Sequence, residues 1–166
     1  MIQVIIGNGK GKTTSAIGGL MRAHGSGMKC LFAQFLKGRE TGELASVTAL
    51  GIPVLRTEEV KKFIPYMDES ELTACRKDVL DVFDRAETEG CNYDYIVLDE
   101  VLDAIELEML SQKRVLDFIL KAKAEIILTG RKAGKDIENT ADYISLIQEV
   151  KHPYTRGVQA RRGIEY

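Results

Sequence analysis

The feature that most narrows what this chain can fold into is the run Gly7-Asn8-Gly9-Lys10-Gly11-Lys12-Thr13-Thr14, placed directly after the β-branched stretch Met1-Ile2-Gln3-Val4-Ile5-Ile6. So short an apolar stretch, ended by a glycine turn, reads as a buried strand. From Lys12 onward Ile17, Leu20, Met21 and His24 recur at helical spacing until Gly25-Ser26-Gly27 stops the pattern. Strand, glycine loop and helix in immediate succession form the setting of a phosphate-binding loop. Glycines let backbone N–H groups converge on an anion, and the helix N-terminus adds positive potential. Lys12 is placed to meet phosphate oxygens and the Thr13 hydroxyl to coordinate Mg²⁺. The usual pattern has about four residues between its first glycine and the Gly-Lys pair. Here only Asn8, Gly9 and Lys10 separate Gly7 from Gly11. A loop one residue short should hold a polyphosphate differently, so the terminal phosphate need not be the atom under attack. The alternative is a glycine turn that binds nothing.

The rest of the chain keeps strands alternating with helices. Lys29–Phe35 and Pro53–Leu55 read as strands, Thr41–Leu50 as a short helix, and Thr57–Met67 as a loop of the length that often carries function. Asp68 with Glu71 makes a capping-box start, after which Leu72, Cys75, Val79, Val82, Phe83 and Ala86 trace one helical face. Tyr95–Leu98 and Glu125–Thr129 are buried strands, separated by a helix marked by Val115, Phe118, Ile119 and Ala122. Strands that are apolar throughout imply an α/β fold, a mostly parallel sheet flanked by helices on both faces. Ligands of such sheets bind beyond the carboxyl ends of the strands. Val97-Leu98-Asp99-Glu100 supplies acids at such an end, where they can hold a metal or its waters; the alternative is that they cap the following helix. Asp103, Glu106 and Glu108 read as a solvated helix face.

Composition bounds the remaining classes. At 166 residues the chain suits one domain spanning 1–166, and a net charge of -2 with interspersed signs gives no footprint for nucleic acid. The apolar runs fall far short of the ~18 residues of a membrane span. No signal peptide opens the sequence, so the expected location is cytoplasmic. Cys30, Cys75 and Cys91 form no C-x-x-C pair and read as ordinary thiols.

With these blocks in view, the chain resembles the ATP:cob(I)alamin (corrinoid) adenosyltransferases from end to end. Gly7–Thr14, Gln34-Phe35-Leu36-Lys37-Gly38, Val97–Glu100, Leu128-Thr129-Gly130-Arg131 and the tail Glu149–Tyr154, Gly157-Val158 and Gly163–Tyr166 carry the resemblance. It implies a RecA-like P-loop NTPase fold, a homodimer, and attack by a reduced corrinoid's Co(I) on C5′ of ATP with triphosphate leaving. It further implies Mg²⁺, or Mn²⁺, on Thr13 and Glu100 with Asp99 in support; polyphosphate on the loop from Gly7 to Thr14 and on Lys10, Lys37 and Arg131; and an electron-donating reductase. The resemblance makes Lys12, Thr13 and Glu100 the catalytic set.

Members of that family often begin with a further N-terminal segment and carry a Phe-x-Trp pair before the long helix, whereas this sequence starts its first strand at Met1 and has no Trp. Phe63 and Tyr66 stand in the corresponding loop as an apolar wedge or as packing residues. The basic tail, with Lys151, His152, Arg156, Arg161 and Arg162, suits a loop over the site or against a partner subunit; His152 is assigned no metal. The competing classes are a P-loop phosphotransferase of nucleoside-kinase type and an ATP-gated binding module.

Overall fold

Strand β1 (Ile2–Ile6) runs into the glycine loop, and helix α1 (Lys12–Gly25) follows. The computed structural model describes residues 1–38, 40–58 and 64–165; Phe63 lies outside them. Along the chain come β2 (Cys30–Gln34), α2 (Gly42–Ala49), β3 (Val54–Arg56), α3 (Glu69–Glu89), β4 (Tyr95–Asp99), α4 (Val101–Glu106), α5 (Gln112–Lys121), β5 (Glu125–Thr129), α6 (Lys135–Thr140) and β6 (Tyr143–Leu146). The six strands form one sheet in the order β3-β2-β4-β5-β1-β6, and every pairing is parallel. β5 stands between the strand that feeds the glycine loop and the strand that ends in Asp99. The architecture is the parallel, helix-flanked sheet expected of continuous apolar strands.

Alternate residues of the inner strands feed two separate cores. On one face Leu31, Ala33, Ile96, Leu98, Ile126 and Leu128 pack with Val79, Phe83 and Ala86 of α3 and Val115 and Phe118 of α5. On the other, Ile5, Phe32, Val97 and Ile127 pack with Ala16, Leu20 and Ala23 of α1 and Val47 of α2. Burial on both faces is why β2 and β4 read as continuous apolar runs. Asp68 caps α3 with the reciprocal Glu71 contact expected from the sequence. The sheet's last strand behaves differently: all four residues of β6 are exposed, and among the described residues no strand pairs on its outer side.

Two expectations need correction. Met21 and Leu72 share the periodicity of their helices but lie at the edge of the buried faces, at 40% and 37% exposure, and Ala16 and Ala23 bury α1 instead. A small-residue face lets α1 approach the sheet closely, which a pattern built on large side chains misses. Helix α6 and strand β6 have no counterpart in the sequence reading; both are short, and β6 is four residues that are all exposed. The predicted loop before α3 contains a 3₁₀ turn, Ile64–Tyr66, in which Tyr66 is 78% exposed. Among the described residues no helix is long and apolar enough to cross a membrane.

Phe83 joins the elements of the larger core: its ring meets Phe118 edge-on at 5.8 Å, Phe35 at 6.3 Å, and carries the Arg114 guanidinium at 5.0 Å. Phe83→Ala should therefore cost about 3–5 kcal/mol of stability. Urea unfolding would show this as a lower midpoint at unchanged slope.

Candidate functional site

The glycine loop is held from behind by backbone before any ligand is considered. Gly7 N–H donates to the Arg131 carbonyl at 3.1 Å and Gly9 N–H to the Ile147 carbonyl at 2.9 Å. Gly7 has φ +123, and a Cβ there would run into the Ile147 carbonyl, so only glycine fits. The Asn8 amide oxygen accepts from Glu149 N–H at 3.0 Å, turning that side chain toward the tail. Gly9 through Thr14 line a cavity of about 370 Å³, together with Ile17, Lys37, Gly42, Glu43, Glu100, Gly163, Ile164 and Glu165. Lys12 donates to the Gly9 carbonyl at 3.0 Å, so its ammonium lies over the loop. Burial lowers its pKa, nearby Asp103 opposes that, and Arg131 adds to it.

Asp99 ends β4 with no exposure at all, and every neighbouring element sends it a donor. Thr13 of α1 donates to Oδ1 at 2.9 Å, and Thr129 of β5 donates to Oδ1 at 2.8 Å. The Gln34 amide of β2 donates to Oδ2 at 3.1 Å, as does the Lys37 ammonium at 3.1 Å. Gln34 Oε1 is buried with no partner among the described residues, so the amide cannot flip without setting an oxygen against the carboxylate.

Lys37 Nζ lies 2.8 Å from the Thr13 hydroxyl, 3.1 Å from Asp99 and 3.5 Å from Glu100. The protein's own cation thus sits where three oxygen ligands converge. Burial pulls the Lys37 pKa down, but Asp99 and Glu100 outweigh it and hold the group above its ordinary value. One hydroxyl and two carboxylates are hard oxygen donors, suited to Mg²⁺, which is typically held by one or two carboxylates while keeping waters and phosphate oxygens. Among the described residues no group of three or more acids, histidines or cysteines is gathered for a metal. The donor set therefore fits an ion that shares its shell with a substrate.

Glu100 itself has φ 63, the left-handed region, and makes no side-chain cap to α4. Glu100 occupies the N-cap position of α4 without a side-chain cap bond, and it lines the cavity. A non-glycine residue in that conformation is a point of backbone strain. Burial raises the Glu100 pKa, with Asp99 and Asp103 adding to the rise and Lys37 opposing it.

Asp103 also departs from expectation. Rather than a solvated acid, it is half-buried and accepts from Arg131 N–H at 3.0 Å. Gly130 permits this, because a Cβ there would press on Leu102 and the Asp103 backbone. Arg131 itself is exposed and contributes backbone to the loop's support. Lys10 is also exposed, and pairs with Glu165 at 3.2 Å. Arg161 grips the same carboxylate, and these contacts hold Glu165 down to about 2. The tail thus lies over the cavity, one of the two placements expected for it. The His152 ring Nδ1 accepts from Tyr154 N–H at 3.1 Å and caps the 3₁₀ turn Pro153–Arg156. Gln34, Thr129 and Asp103 are among the site residues that sequence reasoning did not assign, as are Glu43 and Glu165 on the cavity wall; a polar residue closing an otherwise apolar strand was the available signal for the first two.

Residues 1–166 match the family model described as ATP:corrinoid adenosyltransferase BtuR/CobO/CobP. The corrinoid adenosyltransferase of Escherichia coli K12 is 32% identical, the match covering 100% of this chain and 85% of that one. Corrinoid adenosyltransferase CobA of Salmonella typhimurium is 31% identical with the same coverage, 100% and 85%. Among solved structures, a KaiC-like protein from Pyrococcus horikoshii OT3 superposes over 98% of this chain and 74% of that one at 16% identity and a TM-score of 0.48, too loose a likeness to carry a conclusion.

The Glu100 environment has a thermodynamic consequence. With its folded pKa above the ordinary 4.5, the folded state binds this proton more tightly than the unfolded chain does. Stability then falls as pH rises through that interval, and the deficit is complete above the folded pKa. Glu100→Gln should melt higher than the parent near pH 8, with the difference closing as pH approaches 4. A melting difference independent of pH contradicts this.

Proposed function

Because this chain belongs to the ATP:corrinoid adenosyltransferase family, we propose that it transfers the 5′-deoxyadenosyl group of ATP to the Co(I) centre of a reduced corrinoid and releases triphosphate. The observation that carries the reading is the pairing of a full-length family match with a glycine loop one residue shorter than the usual pattern. A shortened cradle grips the triphosphate as a leaving group and leaves C5′ toward the acceptor.

In the reaction the Co(I) electron pair attacks C5′. The C5′–O bond breaks, its electrons depart on the triphosphate, and cobalt becomes formally Co(III) in the new Co–C bond. The nucleophile carries no proton, so no side-chain base is required. The protein must instead position C5′ and stabilise charge gathering on the leaving group. Loop amides from Gly7 to Thr14 and the Lys12 ammonium serve that end. Lys37 and Lys10 lie on the cavity wall, with Arg131 contributing at longer range. Mg²⁺, with Mn²⁺ as substitute, would be held by Thr13 and Glu100 with Asp99 behind them, and supplies positive charge beside the phosphate oxygens when bound. Lys37 holds those same oxygens in this structure, so it would have to give them up for the ion to be held there.

The same reading makes the chain one domain over 1–166 that acts in the cytoplasm as a homodimer, supplied with Co(I) by a separate electron-donating reductase. Cob(I)alamin and cobyrinic acid a,c-diamide are both acceptors of the required chemistry.

The test is product analysis. Protein incubated with Mg-ATP, a chemical reductant and cob(I)alamin should yield triphosphate and a light-sensitive Co–C bond in equal amounts. ADP formed in step with a phosphorylated acceptor marks a phosphotransferase, and tight ATP binding with no corrinoid dependence marks a gated binding module; either result refutes the proposal. Lys12→Met should lower turnover by about 10²–10³-fold with an unchanged circular dichroism spectrum.

A further inference from the structure

We propose that Thr129 is a positioning residue that sets the geometry of both acids at the end of β4, although it reaches neither the cavity nor a substrate. The parallel register places Leu128 opposite Leu98, so Thr129 closes β5 at the level where Asp99 closes β4. On β4's other side the register pairs Gln34 with Asp99. Each flanking strand thus delivers one donor to the same carboxylate, 2.8 Å from Thr129 to Oδ1 and 3.1 Å from Gln34 to Oδ2. What separates the two is a second bond. The Thr129 hydroxyl accepts from Glu100 N–H at 2.9 Å while donating to Asp99.

A hydroxyl has one proton to donate and lone pairs to accept, so both bonds are made at once and fix its orientation. The relay runs from Glu100 N–H through Thr129 to Asp99, and Thr129 is 1% exposed, so the hydroxyl is shielded from solvent. Its effect on Glu100 is the important one. The left-handed φ of 63 at Glu100 is unfavourable for a residue with a Cβ and persists only where surroundings impose it. Thr129 holds the peptide N–H of that residue, and the turn carries the Glu100 carboxylate into the cavity beside Thr13 and Lys37. Without the hydroxyl, Glu100 is free to relax toward ordinary helical φ, which swings its carboxylate away from the position that the proposed metal shares with Thr13. Asp99 simultaneously loses one of its anchors.

The functional reading above underlies only the activity half of the test, and a metal-binding measurement decides the positioning role independently. Mn²⁺ is titrated into protein with ATP and followed by electron paramagnetic resonance. Thr129→Val, close in shape but without a hydroxyl, should weaken Mn²⁺ binding by about 10–100-fold, the usual effect of removing an outer-shell partner. At saturating metal its KM for ATP should stay within about threefold of the parent, because the phosphate loop is untouched. Thr129→Ser, which keeps both bonds, should recover most of the Mn²⁺ affinity. If Thr129→Val fails to fold, Thr129→Cys supplies the comparison, since its thiol is a poor donor and acceptor. The proposal is overturned if Thr129→Val, or Thr129→Cys in its place, binds Mn²⁺ like the parent. It is equally overturned if Thr129→Ser is as impaired as Thr129→Val, or if the parent with ATP binds no Mn²⁺. A parent that binds Mn²⁺ but transfers no adenosyl group refutes the proposed function and leaves the positioning result intact.

Discussion

A carboxylate cannot be removed from water without donors to replace it, and Asp99 has no exposure. The hydroxyls of Thr13 and Thr129, the Gln34 amide and the Lys37 ammonium meet that requirement from three different segments of the chain. Removing any one leaves part of a buried charge unsatisfied, a loss on the order of several kcal/mol when the partner is the opposite charge. The carboxylate therefore ties the first turn of α1 to the ends of β2, β4 and β5, and the cavity takes its shape from that knot. Its position follows from topology: only because β5 lies between β1 and β4 can a β5 side chain reach Asp99 while the chain just after β5 buttresses the glycine loop.

The legible part of this arrangement was local. A glycine run between a β-branched strand and a helix needs no tertiary knowledge, and β1, α1, β4 and the cap of α3 fall within a residue or two of where pattern places them. Asp99 and Glu100 were legible for the same reason, as acids at a strand end. Gln34 and Thr129 were visible only as members of sequence blocks, because their partners stand 65 and 30 residues away. Asp103 reads as a surface acid by charge pattern; its burial depends on Gly130 letting α4 approach β5. β6 was missed because its residues are exposed and its pairing is with a strand more than a hundred residues earlier.

Nearly every part of the site would serve phosphoryl transfer as well. A lysine over a glycine loop, a threonine, and two acids at the end of a strand two places away position and neutralise a polyphosphate whichever bond breaks. What differs is direction. Under the proposed transfer the three phosphates leave as a single group and the electron pair arrives at carbon.

The most direct test of that direction uses ATP labelled with ¹⁸O in the bridge between C5′ and the α-phosphorus, turned over with reduced corrinoid. Cleavage at carbon sends the label out on triphosphate, and mass spectrometry should find it there in full. Label retained in a nucleotide product shows that a phosphorus–oxygen bond was broken instead, and contradicts the account.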